Sequence, residues 1–200
     1  MLAIQEMPLF PLNAVLFPGG VLPLRIFETR YLDMVSQCLK SDSRFGVVAI
    51  VEGNEAGTGA TFAEMGTLAQ IVDFDQLEDG LLGLTCRGGE RFTVLEQQQQ
   101  ADGLILGKVL LLPDEAGCQI DASHSDLVRF LRDLLSQDSV RPYRQWLTED
   151  WTNTSWLGYR ITELLPLPLP LKSSLLEMQE AEQRLDILQT ILRDNKLLGN

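Results

Sequence analysis

The sequence predicts an α+β protein: a small antiparallel β pseudobarrel with one embedded helix, followed by a C-terminal α-helical subdomain. Three observations carry that prediction. Short apolar, β-rich runs broken by Pro, Gly and Asp-Gly recur through about the first 110 residues, too closely spaced for βαβ units. A single helical stripe interrupts them after Glu28. Beyond Pro113 the apolar period becomes that of helices. The expected boundaries are 1–116 for the barrel and 117–200 for the helical part.

The stretch Met7 to Tyr31, MPLFPLNAVLFPGGVLPLRIFETRY, reads as short apolar strands running into an amphipathic helix. Pro8, Pro11, Pro18 and Pro23 cannot donate to a ladder, so a regular central strand is not expected through them. Leu9-Phe10, Ala14 to Phe17 and Val21-Leu22 have the composition of strands, and Pro18-Gly19-Gly20 signals a turn. Proline suits the edge of a strongly bent barrel, where it blunts pairing with other chains. Tyr31, Met34, Val35, Cys38 and Leu39 fall on one helical stripe. Burying them at roughly 1.5–3 kcal/mol each favours a helix that plugs or flanks the barrel.

Phe45 to Val51 is a continuous β-rich run expected as an interior strand, and Glu52 to Thr61 a glycine-containing loop. Thr67 to Phe74 and Leu81 to Cys86 flank the hairpin signal DQLEDG at Asp75 to Gly80. Arg91 to Leu95 and Leu104 to Leu112 flank a second, around Ala101-Asp102-Gly103. The glutamine run Gln97 to Gln100 is a solvated strand end. Asp114 to Gly117 reads as a polar linker. Leu127, Phe130, Leu131, Leu134 and Leu135 then form a helical stripe, with Ser123, Ser125 or Asp126 as the cap. Trp146 and Trp151 are expected in or near a shorter helix and Thr154 to Leu165 in a third. Pro166 to Pro170 is expected to be extended, and Leu171 to Met178 and Ala181 to Arg193 helical.

Two hundred residues with 45% hydrophobic and 22% charged content fit a globular protein that needs no staple. No apolar run approaches the ~20 residues of a membrane span. Met1 to Pro8 has no basic region and carries Glu6, so no signal peptide is expected. Cys38, Cys86 and Cys118 then read as reduced thiols of a cytoplasmic protein. The net charge is −12. Residues 1–120 hold 7 Lys+Arg against 16 Asp+Glu, a balance of −9. An acidic barrel repels phosphate backbones and is compatible with basic or apolar polypeptides.

No catalytic constellation is expected, and the sequence predicts a non-enzymatic protein without cofactor or metal. There is no phosphate loop. Lys172-Ser173-Ser174 opens an amphipathic helix with no base implied. His124 is the single histidine and sits in a polar stretch, expected as an exposed residue of a capping region. One His and three scattered Cys offer no zinc-ligand pair. Asp73, Asp75, Glu78 and Asp79 surround a hairpin tip and read as a solvated turn. Gly83, Gly88 and Gly89 beside Arg87 and Arg91 read as strand-bend positions in preference to an anion nest. Arg25, Glu28 and Arg30 read as a charge brace at a helix start. Phe10, Phe17, Phe27, Phe62 and Phe74, with Leu77, exceed what one barrel interior accommodates. They are candidate contacts for an extended or unfolded peptide in a surface groove.

MPLFPLNAVLFPGGVLPLRIFETRYLDMV resembles the start of the Lon protease N-terminal, substrate-binding domain family. Its motif is a proline-bounded LPL strand, a P-G-x-x-x-P-L turn and strand, then a helix. GLLGLTCRGGERFTVLE is similar to a strand pair of that family, and WLGYRITELLPLPLPLKSSLLEMQEAEQRLDILQTIL to its helical part. The resemblance implies a PUA-like barrel in which Pro11, Pro18, Gly19, Pro23, Arg25, Glu28, Arg30, Tyr31, Arg91 and Phe92 are structural signature positions. It further implies a polypeptide-binding module without the ATPase and peptidase domains, as in stand-alone members. Such a module would serve in quality control or as an adaptor, with a protease or chaperone in trans. RNA or nucleotide binding, known among PUA-like barrels, is the alternative that the acidic charge disfavours.

Overall fold

The computed structural model describes residues 3–53, 55, 61–115 and 117–198. The expected glycines Gly57 and Gly59 of the loop after Glu52, and Ala116 of the polar linker, lie outside them. The chain is α+β and divides into two compact units, 1–114 and 115–200.

Unit one contains β1 (Ile4–Leu12), β2 (Val21–Ile26), α1 (Thr29–Ser41), β3 (Phe45–Glu52), β4 (Thr61–Gln76), β5 (Leu82–Gln99) and β6 (Ile105–Leu111). The strand order is β2-β5-β4-β3-β1-β6, and β5 also pairs with β6, which closes the last five strands into a barrel. β5 makes this possible by its length. Leu82 to Arg87 pairs with β2, and Phe92 to Gln99 pairs with β6. Strand pairing is antiparallel except between β1 and β3, which run parallel with β2 and α1 as the crossover.

Several local expectations need correction. The runs expected at Leu81 to Cys86 and Arg91 to Leu95 are parts of one long strand that starts at Leu82 and passes through a bulge against β4 between Gly88 and Arg91, where it bends without breaking. β1 runs through Pro8 and Pro11. Its first half pairs with β6 and its last four residues with β3. Each half therefore has a side without a strand partner, where a missing N–H costs no ladder bond. Ala14 to Phe17 is not strand; it is a loop whose Leu16 and Phe17 are buried. Leu39, assigned to the apolar stripe of α1, is exposed, as is Val51 at the end of β3.

The core of unit one forms two clusters. Phe10, Leu24, Ile26, Met34, Phe45 and Leu84 anchor one. Leu9, Val48, Leu68, Phe92 and Val109 anchor the other. The first takes the buried stripe of α1, Tyr31, Met34, Val35 and Cys38.

Unit two contains α2 (Ser125–Leu135), α3 (Arg141–Arg144), α4 (Thr154–Leu164), α5 (Leu169–Glu177) and α6 (Ala181–Asp194) around a leucine-rich core. Trp146 lies in the turn that follows α3 and Trp151 in the turn before α4, where it packs edge-on to Trp156. The proline-leucine run is extended only to Pro168. α5 starts at Leu169, because Pro170 falls in its first turn, where no N–H is required. No helix among the described residues is long and apolar enough to cross a membrane.

Candidate functional site

The candidate site of unit one grows from β2 and the start of α1. β2 alternates: Leu24 and Ile26 are buried, and Pro23 and Arg25 are exposed. Beyond it, Glu28 is the N-cap residue of α1, and Tyr31 lies on the helix's first buried turn. The Tyr31 ring stacks on Phe10 at a centroid distance of 3.9 Å. Arg30 lies over the Tyr31 ring, its guanidinium carbon 4.7 Å from the centroid. It is fixed there by Glu28 at 2.8 Å and by donation to the Gly103 carbonyl at 2.7 Å. Burial pushes the Tyr31 phenol above its usual pKa; Arg30 opposes that, and Glu28 and Glu55 add to it.

These elements wall a groove of about 360 Å³, within the ~300–1,000 Å³ usual for ligand sites. It is lined by Phe10, Leu12, Ala14 and Tyr31, by every residue from Leu22 to Glu28, and by Glu55. Glu55 is held by the Asn13 amide at 2.5 Å. Arg25 pairs with Asp79 of the β4–β5 turn.

The structure separates the candidate peptide contacts. Phe10 and Phe27 line the groove, Phe10 as a buried wall and Phe27 as a 61% exposed rim. Phe17 is fully buried, and this corrects its assignment: its carbonyl supports the glycine turn, and its side chain meets no solvent. Phe62 packs partly buried against the second core cluster, Leu77 covers Gly83, and Phe74 is exposed away from the groove. Leu12, Ala14, Leu22, Leu24, Ile26 and Glu55 were not singled out in the sequence. The period-two pattern Leu22, Leu24, Ile26 next to a proline edge is the signal that marks the β2 residues; Leu12, Ala14 and Glu55 carry none.

Gly19, Arg91 and Phe92 of the signature make backbone or core contacts. Gly19, at φ +68°, donates to the Gly88 carbonyl at 2.8 Å, and Gly88 donates to Gly20 at 2.9 Å, so the Pro18-Gly19-Gly20 turn docks on the bend of β5. Arg91 and Phe92 are buried, and the Arg91 carbonyl accepts from Leu112.

In unit two His124 is buried, not exposed as expected, because Asp186 of α6 takes its Nε2–H at 2.8 Å. Its Nδ1 is enclosed, and among the described residues no Ser or Cys side chain bonds to it. Lys172 donates to the Glu163 carbonyl at 2.8 Å, and burial lowers its pKa. Among the described residues no cluster of His, Cys, Asp and Glu could hold a metal ion. A second concavity of about 450 Å³, at Leu135 to Asp138 with Arg141, Arg144, Gln145 and Glu149, is walled mainly by polar side chains.

The family model of the ATP-dependent protease La (LON) substrate-binding domain matches residues 6–194. The chain belongs to that family. Its fold is similar to the crystal structure of a Lon N-terminal domain protein from Xanthomonas campestris, with a TM-score of 0.76 and 34% identity over 93% of this chain and 98% of that one. The N-terminal domain of Mycobacterium avium complex Lon protease shares the fold, with a TM-score of 0.61 at 17% identity over 92% of this chain and 96% of that one. Lon protease 2 of Myxococcus xanthus is 27% identical over 94% of this chain, and protein cereblon of Xenopus tropicalis 27% identical over 98%. This LON substrate-binding domain chain spans 23% of the first relative and 45% of the second.

Proposed function

We propose that the chain is a non-enzymatic polypeptide-binding module that captures unfolded or extended segments and passes them to a protease or chaperone acting in trans, in protein quality control or as an adaptor. The supporting observation is the groove beside β2, where apolar side chains meet solvent in a family defined by substrate binding. Its chemistry favours polypeptide over nucleic acid. The groove wall is aliphatic and aromatic, with two carboxylates against one guanidinium that Asp79 already engages. The test is fluorescence anisotropy with reduced, carboxymethylated α-lactalbumin and with short apolar peptides. Saturable binding at tens of micromolar or below is expected, and its absence removes the reading.

A further inference from the structure

Among the described residues, β2 is paired on one side only, by β5. The direction of its backbone groups follows from two hydrogen bonds. Leu77 donates to the Leu81 carbonyl at 2.8 Å, and in this register antiparallel alternation makes Asp75 and Gly83 a hydrogen-bonded pair. The amide and carbonyl of Gly83 therefore face β4. Arg25 stands opposite Gly83 on the other side, so its own N–H and C=O point away from the sheet. Gly88 donating to Gly20 at 2.9 Å gives the same phase independently: Gly20, Leu22, Leu24 and Ile26 bond to β5, while Pro23 and Arg25 face outward.

The groove follows that open edge. Successive side chains of a strand point to opposite faces, so a cavity over one face touches alternate residues. This one is lined by consecutive residues from Leu22 to Glu28 and therefore runs beside the strand. The outward backbone groups of Pro23 and Arg25 and an apolar trough lie along the same line.

We infer that an extended polypeptide segment is held by adding a strand to the free edge of β2, with apolar side chains entering the groove and basic ones meeting its acidic surroundings. The inference rests on the polypeptide-binding reading and names how the segment is held. In either strand direction Arg25 supplies one donor and one acceptor, and Pro23 one acceptor. Main-chain bonds would give affinity, and the trough would select alternate apolar side chains. A second copy of β2 is a poor occupant. A two-fold pairing centred on Pro23 has no donor at its central pair, and one centred on Arg25 sets two arginines directly opposite. Glu28 and Glu55 line the groove, and residues 1–120 carry a balance of −9, which suits a basic, apolar strand.

The test uses the full chain and a fluorescein-labelled peptide, Lys-Val-Lys-Val-Lys-Val-Lys, with two variants N-methylated on alternate residues in opposite phases. N-methylation of the phase that carries the apolar side chains or of the other removes the donors of one edge only. One variant is expected to lose affinity about tenfold and the other less than about twofold. Arg25→Pro, which deletes the edge donor, is expected to lose about tenfold, and Arg25→Ala less than about threefold. The peptide experiment needs no mutant chain, so a misfolded Arg25→Pro variant leaves the test intact. Equal affinities for both methylated peptides, with the parent peptide bound, overturn strand addition and leave polypeptide binding standing. No binding of the parent peptide or of carboxymethylated α-lactalbumin overturns both. A dimer in sedimentation that Arg25→Pro abolishes assigns the edge to a second copy and overturns the inference.

Discussion

Arg184 and Glu115 form a bidentate ion pair, at 2.9 and 2.8 Å, with the arginine side chain wholly withdrawn from water and the carboxylate 6% exposed. Arg184 also donates to the carbonyls of Leu175 and Met178 and lies 4.1 Å from the Tyr159 ring centroid. One side chain of α6 thus gathers the end of α5, the face of α4 and the first residue of the helical unit.

Glu115→Ala leaves that guanidinium buried without its counter-ion. A loss of about 3–5 kcal/mol in unfolding free energy is expected, read by urea denaturation followed at the tryptophans. A loss under about 1 kcal/mol would show that the carbonyls suffice.

Phe27→Ala and Phe74→Ala remove equally exposed aromatics, of which only Phe27 lines the groove. Phe27→Ala is expected to weaken peptide binding about fivefold, and Phe74→Ala to leave it unchanged. Neither should move the denaturation midpoint appreciably. Equal effects would place the peptide elsewhere.

Gly88→Ala drives a Cβ into the Phe17 backbone carbonyl, where no side-chain rotation relieves it. The turn at Gly19 would have to lift off β5. The expected cost is about 1–3 kcal/mol in a urea titration.

Burial pushes the Cys86 thiol up from 9.0 to about 12, with Cys38 adding to the shift. The unfolded chain ionises this thiol first, so its contribution to stability is complete below about pH 9. It is lost as the pH rises from there towards about 12, at up to about 1.4 kcal/mol per pH unit. The difference in unfolding free energy between the parent and Cys86→Ala, measured between pH 8 and 11, is expected to shrink along that slope. A pH-independent difference refutes it. Iodoacetamide should label the exposed Cys118 of the native chain and spare Cys38 and Cys86.

The sequence makes legible what local chemistry determines. The Asp79-Gly80 hairpin, the stripe of α1 and the period change after Pro113 are short-range signals, and Gly80 adopts the positive φ its turn requires. Non-local arrangements escape it. That β5 serves two partners is a property of the closed barrel, and Gly88 alone does not announce it. Glu115 reads as part of a polar linker because its partner is 69 residues away. His124 reads as exposed because Asp186 on α6 is invisible from the local stretch. Of the six apolar residues suggested for a peptide, two line the groove, since aromatic content marks burial and binding alike.

β1 is paired with β6 from Ile4↔Leu110 to Leu9↔Ile105. The barrel's own first strand therefore completes its ladder only when its last strand has left the ribosome. Until then its outer half offers unpaired backbone to whatever meets the nascent chain. Loop closure across that span makes barrel formation late and cooperative, and a chain arrested before Ile105 is open at the seam.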